Sequence, residues 1–380
     1  MALRCGIIGL PNVGKSTLFN ALTASSVPTE NYPFCTIDPH IGIVKLPDQR
    51  LEKLRNIFKP QKISHATVEF IDIAGLVEGA SKGGGLGNRF LGQIRQVAAI
   101  IHVVRCFKDD NITHIEGLVD PVRDAEIIET ELLLADLKIL EKQYAKTKKL
   151  VKSGGKDEKK EFDVISRLSK HCNGGHRART FPADQDEVAI IKSLHLLTSK
   201  PILYVSNVDE KEIVCVQRGN LEQRLADFAN KEGNLAIRLC SKLEQDIAVL
   251  SDNEKNVFLN QYNLSEPGLH KLIHAAFKLL GLETFFTGGS KQVKSWTIKK
   301  GTIAPDAAGE IHSDFQRGFI KAEVFKYNDL VRLGSEKAVK DAGLAKLQGK
   351  DYVVQDLSLI HISEPTRPER IGGGGGWVEK

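Results

Sequence analysis

The sequence predicts an α/β fold: a parallel sheet around a phosphate-binding loop, an inserted helical hairpin and a separate small β-rich domain. Three observations carry this prediction. Residues 9–17 read Gly-Leu-Pro-Asn-Val-Gly-Lys-Ser-Thr and follow directly on the apolar run Leu3–Ile8. Residues 1–120 alternate apolar strand-like runs with helical segments, the pattern of a parallel sheet covered by helices. From about Asp124 apolar residues recur at helical spacing, and beyond residue 280 short β-type runs (Val293–Ile298, Gly318–Val324 and Tyr352–Val354) stand between Gly-rich turns.

The loop at 9–17 fits G-x-x-x-x-G-K-[ST] in full. Gly9 and Gly14 let the backbone turn tightly, so that successive N–H groups converge on an anion. A helix beginning near Lys15 adds its positive end. Asn12, Val13, Gly14, Lys15, Ser16 and Thr17 are the expected phosphate contacts. Lys15 reaches the β- and γ-phosphates and the Ser16 hydroxyl ligates Mg²⁺. Leu18, Phe19 and Leu22 give the following helix one apolar face, so a chance Gly-rich turn is the weaker reading.

Expected strands are Arg4–Ile8, Ile41–Lys45, Thr67–Ile73 and Ala99–Val104, with Pro201–Ser206 and Leu235–Leu239 completing the sheet. Between them Ile127, Ile128, Leu132, Ala135 and Leu140 define a long helix. Lys152–Lys160 reads as a turn, and Glu161–Lys170 as a second helix. The expected division is therefore 1–123 and 199–277 for the nucleotide-binding domain, 124–198 for an inserted helical arm, and 278–363 for the β-rich domain. Residues 364–380 form a tail.

The chain has 380 residues, 41% hydrophobic and 27% charged, with a net charge of +5. No apolar run approaches the roughly 20 residues that span a bilayer, and the N-terminus lacks a signal-type region. The six cysteines form no C-x-x-C pair, so neither a zinc site nor a disulfide framework is indicated. A reduced, cytoplasmic setting without membrane or DNA is expected. The mild positive charge permits contact with another polyanion.

Switch elements follow in order. Asp72, closing the strand at 67–73, can hold Mg²⁺ through water, and the Gly75 N–H can sense the γ-phosphate. Thr36 can complete the Mg²⁺ shell. Leu76 stands where related GTPases carry a water-orienting Gln, and cannot polarise water. Asn12 is a candidate ligand for a monovalent cation such as K⁺. His114 is a candidate for orienting water, weighed against a surface histidine without a role. Gly83–Gly87 reads as a switch loop.

Guanine-specific members of this class carry Asn-Lys-x-Asp after a late strand. Here the sequence is Asn207-Val208-Asp209-Glu210. Glu is one methylene too long for the bidentate fit, and Val208 cannot cover the base as a Lys stem does. The guanine preference is thereby weakened and adenine admitted, so ATP is expected over GTP. Ser241, in Cys240-Ser241-Lys242, fits the last base-contacting loop.

These motifs together resemble one family, the Obg-like ATPases of the YchF type among the translation-factor-related P-loop GTPases. The resemblance rests on residues 9–17, 31–39, 72–77, 82–90, 207–210 and 284–289, and runs to about Asp356. It implies a P-loop NTPase domain, an inserted helical coiled-coil arm and a C-terminal β-grasp (TGS) domain. It implies ATP hydrolysis with an apolar residue, Leu76, replacing the catalytic Gln. It further implies association with the ribosome at the large subunit. Base-side contacts would fall at Asn207, Val208 and Glu210, and Mg²⁺ ligands at Ser16 and Thr36. The chain departs from the family after Asp356, where Ser-Glu-Pro-Thr-Arg-Pro and five glycines resemble translated adapter sequence. Leu359–Ile362 is expected to imitate the family's last strand.

The expected function is a Mg²⁺-dependent ATPase acting as a ribosome-associated switch; Lys291, Lys294, Lys299 and Lys300 are candidates for rRNA contact, weighed against ordinary solvated lysines on a strand face. The alternatives are a nucleotide-gated scaffold with negligible turnover, and a GTPase.

Overall fold

The computed structural model describes residues 4–24, 40–73, 85–114, 117–151, 155–215 and 217–362. They divide into two compact units. Residues up to Pro47 join Thr67–Leu280, and Asp48–Ala66 joins the residues from Gly281 onward. The strands in chain order are β1 (Arg4–Ile8), β2 (Ile41–Lys45), β3 (Lys62–Ser64), β4 (Thr67–Asp72), β5 (Ala99–Arg105) and β6 (Ile202–Asn207). There follow β7 (Leu235–Leu239), β8 (Leu282–Thr287), β9 (Gln292–Lys299), β10 (Ala322–Lys326), β11 (Lys346–Gln348) and β12 (Ser358–Ile362).

The first unit is built on a six-stranded sheet of order β2-β4-β1-β5-β6-β7. All pairs are parallel except β2 with β4 at the edge. Every residue of β5 and β6 is buried, because helices cover both faces; this explains their unbroken apolar runs. β1 lies between β4 and β5, so successive crossovers pass to opposite sides of it. In open α/β sheets the ligand crevice forms at the carboxyl ends of the strands at such a switch point. The phosphate loop follows β1 there.

The arm belongs to this unit. Its first helix, Pro121–Leu150, has 30 residues, or about 45 Å at 1.5 Å per residue. Asp120 caps it by accepting from Val122 N and Arg123 N. The second helix is Lys156–Asn173, longer than Glu161–Lys170. Lys156–Lys160, expected within a turn because it is highly charged, is helical instead. In fact Asp157 and Glu158 form an acidic first helical turn, which the helix dipole favours. A third helix, Gln185–Ser193, closes the arm with a capping box between Asp184 and Glu187. Leu133, Leu140, Val164, Ile165, Leu168 and Ile191 share the arm's core. The buried Asp136 carboxylate anchors the returning chain, accepting from Leu197 N, Thr198 N and Thr198 Oγ1, each at 2.7 Å.

The second unit has a sheet of order β11-β10-β12-β8-β9-β3. β8 and β9 form an antiparallel hairpin, and β12 lies parallel to β8. With the helix Ala304–Ile311 against the sheet, this is a β-grasp. Residues alternate between its two faces. Phe285, Val324 and Ile360 enter a core with Ala304, Ala307 and Ala308. Their neighbours Phe286, Phe325 and Leu359 enter a second core, with Leu51, Leu54 and Leu330. The strand expected at Leu359–Ile362 therefore exists as β12, pairing with β10 over five residues. Tyr352–Val354, expected as a strand, makes only an isolated bridge between Val353 and Ile303. The expected run Gly318–Val324 becomes regular only from Ala322.

One boundary differs from the expected division. Residues 48–66 fall within the expected 1–123 domain, yet they pack with the second unit. The helix Gln49–Phe58 buries Leu51 and Leu54 completely against the β-grasp core. β3 then pairs in parallel with β9. An amphipathic helix advertises an apolar stripe but not which core will receive it.

Candidate nucleotide site

The phosphate loop runs from the end of β1 to the helix Lys15–Ala24. Gly14 has φ +95° and Asn12 φ 61°, both left-handed. A Cβ on Gly14 would collide with the Asn207 side chain, so this position requires glycine. The helix opens with Leu18 N donating to Gly14 O at 2.9 Å. Its first-turn N–H groups lack intrahelical acceptors, the arrangement that binds anions.

Lys15 is buried, and its Nζ donates to Leu10 O across the loop at 2.9 Å. Burial lowers its pKa, and Asp72 opposes that shift. Burial raises the Asp72 pKa, opposed by Lys15 and then His40. Asp72 Oδ1 is buried without a hydrogen-bond partner. An orphaned carboxylate oxygen beside the phosphate-loop lysine fits a hydrated divalent cation, and the exposed Ser16 offers a hydroxyl at the helix start.

Asn207 joins the two halves of the site. Its Nδ2 donates to Val13 O at 2.8 Å and its Oδ1 accepts from Ser241 N at 2.9 Å. Beside it opens a cavity of about 920 Å³, lined by Asn12, Gly14, Thr17, Asn207, Val208, Glu210 and Ser241 among others. Of the expected phosphate and base residues, Asn12, Gly14, Thr17, Asn207, Val208, Glu210 and Ser241 line this cavity, whereas Val13, Lys15 and Ser16 do not. Ser241 Oγ, another lining group, is buried and unpartnered. Glu210 accepts an ion pair from Lys242 Nζ at 2.9 Å.

His114 is not among the lining residues. Its Nε2 lies 2.8 Å from Asp124 Oδ2, and both side chains are buried. The preceding Thr113 accepts from Asn12 Nδ2 at 3.2 Å, which ties this segment to the phosphate loop. Thr36, Gly75, Leu76 and Gly83–Gly84 lie outside the described residues, while Gly85 and Gly87, expected in the switch loop, belong to the first turn of the helix Gly85–Gln96. In the second unit Lys294 Nζ sits 3.3 Å from the centroid of the Trp296 ring, while Lys291, Lys299 and Lys300 are exposed.

Sequence reasoning missed the wall of the cavity formed by Phe107–Ile112, and also Gln245. The available signal was Arg105, a charged residue ending the apolar run Ala99–Val104.

Fold and site define a P-loop nucleotide-binding protein of the GTPase type. The family model MMR_HSR1, described as a 50S ribosome-binding GTPase, matches residues 4–143. The model YchF-GTPase_C, described as a protein of unknown function (DUF933), matches residues 282–364. The chain belongs to the YchF family. It is 50% identical over 362 residues to the ribosome-binding ATPase YchF of Bacillus subtilis (strain 168), covering 95% of this chain and 99% of that protein. With the ribosome-binding ATPase YchF of Escherichia coli O157:H7 the identity is 46% over the same shares. The solved Schizosaccharomyces pombe YchF GTPase superposes with a TM-score of 0.86 at 37% identity, over 95% of this chain and 97% of that one.

Proposed function

We propose that the chain is a Mg²⁺-dependent ATPase, preferring ATP to GTP, that acts as a cytoplasmic, ribosome-associated switch. The observation that carries the reading is the Asn207 bridge, which holds the phosphate loop and the base-side loop against one cavity. Ribosome association is supported by the names of the relatives, which are ribosome-binding ATPases. Contact with the large subunit and its rRNA belongs to the same proposal, with the exposed Lys291, Lys299 and Lys300 as its candidates.

Base choice follows from Glu210. Its carboxylate pairs with Lys242 rather than standing free to accept the two donors of guanine. Val208 offers a short buried side chain in place of a Lys stem.

At the phosphates, Lys15 and the loop N–H groups hold the β- and γ-oxygens. Ser16, Thr36 and Asp72 (through water) would hold Mg²⁺, which supplies charge neutralisation. The Gly75 N–H would report the γ-phosphate. Asn12 is the candidate ligand for K⁺. With Leu76 in place of Gln, we assign water orientation to His114, whose ring is fixed by Asp124 and whose segment is tied to Asn12.

Leu76 also favours a second reading, a nucleotide-gated scaffold with negligible turnover. Titration with ATP and GTP, followed by single-turnover hydrolysis with and without ribosomes, separates the two. Tighter ATP binding and ribosome-stimulated hydrolysis are expected. Binding without hydrolysis under either condition supports the scaffold, and tighter GTP binding overturns the base assignment.

A further inference from the structure

The wall Phe107–Ile112 of the nucleotide cavity carries Lys108, Asp109, Asp110 and Asn111, polar residues with no regular secondary structure to hold them. Its two ends are fixed. Cys106 N donates to Asn207 O at 2.8 Å, and Thr113 O accepts from Asn12 Nδ2. Between those anchors one side chain gathers the segment. Arg105, 2% exposed, donates from Nε to Phe107 O at 3.2 Å. It also donates from Nη1 to Ile112 O at 3.0 Å and from Nη2 to Asp109 O at 3.0 Å. Its guanidinium carbon lies 4.6 Å from the centroid of the Phe107 ring.

We propose that Arg105 is a positioning residue for nucleotide binding: it holds Phe107–Ile112 as a preformed cavity wall without itself touching nucleotide. The proposal rests on the reading of the cavity as the nucleotide site. Arg105 is not among the cavity-lining residues, whereas Phe107, Asp109 and Ile112, whose carbonyls it binds, all are. Only a guanidinium can serve three carbonyls in a planar fork while stacking on a ring. Without it the segment keeps its local turn, in which Ile112 N donates to Asp109 O and Asn111 N to Asp109 Oδ1, but the rest of its ordering falls to the nucleotide and is subtracted from affinity. The phosphate loop and Asp72 keep their own contacts, and His114 keeps the Asp124 carboxylate that fixes its ring, so the chemical step at saturation is untouched.

The test uses the full chain and Arg105→Lys, which keeps the charge but loses the fork. The expected Kd for ATP rises about tenfold, while the single-turnover rate constant at saturating ATP stays within about twofold. A charge-removing variant, Arg105→Gln, is expected to weaken ATP binding further. Unchanged affinity in a folded Arg105→Lys variant overturns the proposal, as does an equal loss in rate constant at saturation. If the Arg105 variants do not fold, Phe107→Leu removes the stacking partner and leaves the carbonyl bonds. A roughly threefold weaker Kd is then expected, and no change overturns the proposal. Wild-type chain that binds neither ATP nor GTP overturns the underlying site reading, and the proposal with it.

Discussion

At the residue scale, two positions carry opposite lessons about charge. Glu210 is neutralised by Lys242 at the base side of the cavity. Restoring the guanine-reading pattern with Val208→Lys and Glu210→Asp should shift the ratio of ATP to GTP affinity toward GTP by at least about tenfold, since a matched polar pair discriminates strongly. Competition titration with labelled nucleotides checks this. Asp72 is the converse case, a carboxylate left partly unpartnered. Its pKa is raised by burial, so folding favours its protonated form. That contribution is present below the unfolded carboxylate range and is lost as pH rises through the raised folded value. Asp72→Asn should therefore melt at a higher temperature than wild type at pH 8, with the advantage vanishing near pH 4. Its Mg²⁺-dependent gain in ATP affinity should fall at the same time. Thermal melts at the two pH values and ATP titration with and without Mg²⁺ read both effects.

At the element scale, Asp136 shows how a long helix is registered against the chain that returns from its tip. Its carboxylate accepts from two backbone N–H groups and a hydroxyl in the segment Leu197–Thr198. Thr198 Oγ1 in turn accepts from Ala178 N at 3.0 Å. Asp136→Ala leaves these buried donors unpaired and should cost about 3 kcal/mol. Denaturant unfolding monitored by helical signal checks it. The same scale shows what was legible in the sequence. The phosphate loop, the strands β1, β4, β5 and β6 and the arm's first helix could be read because each has a local signature: a restrictive motif, a buried apolar run or a helical period. The wall Phe107–Ile112 had only the charge of Arg105 at the end of an apolar run to mark it, because its order comes from that buried arginine and backbone carbonyls rather than from periodicity. The turn between the first two helices was overestimated because solvated first-turn acids look like loop residues.

At the scale of the whole molecule, the two units are not two stretches of sequence. Leu51 and Leu54 lie in the N-terminal third of the chain but complete the core around Phe286 and Leu359. Leu54→Ala should destabilise the second unit by about 3 kcal/mol, the usual cost of a fully buried leucine. Hydrogen exchange of the β8 and β9 amides should accelerate, with β5 and β6 much less affected; acceleration confined to the first unit would contradict this. The partner of that helix could not have been read locally, because its contacts are separated by more than two hundred residues. Resemblance to the YchF family helped with the C-terminal domain as a whole but did not reveal this exchange of chain between units.

The passage of residues 48–66 into the β-grasp has a consequence in time. The helix Gln49–Phe58 is synthesised well before β12, which shares its core. At about 5–20 residues per second, some 300 residues of synthesis keep that helix waiting on the order of 15–60 s for its final partner. For that interval its apolar stripe has no completed β-grasp core to enter, so the nascent chain is most exposed to misassociation before β12 is made.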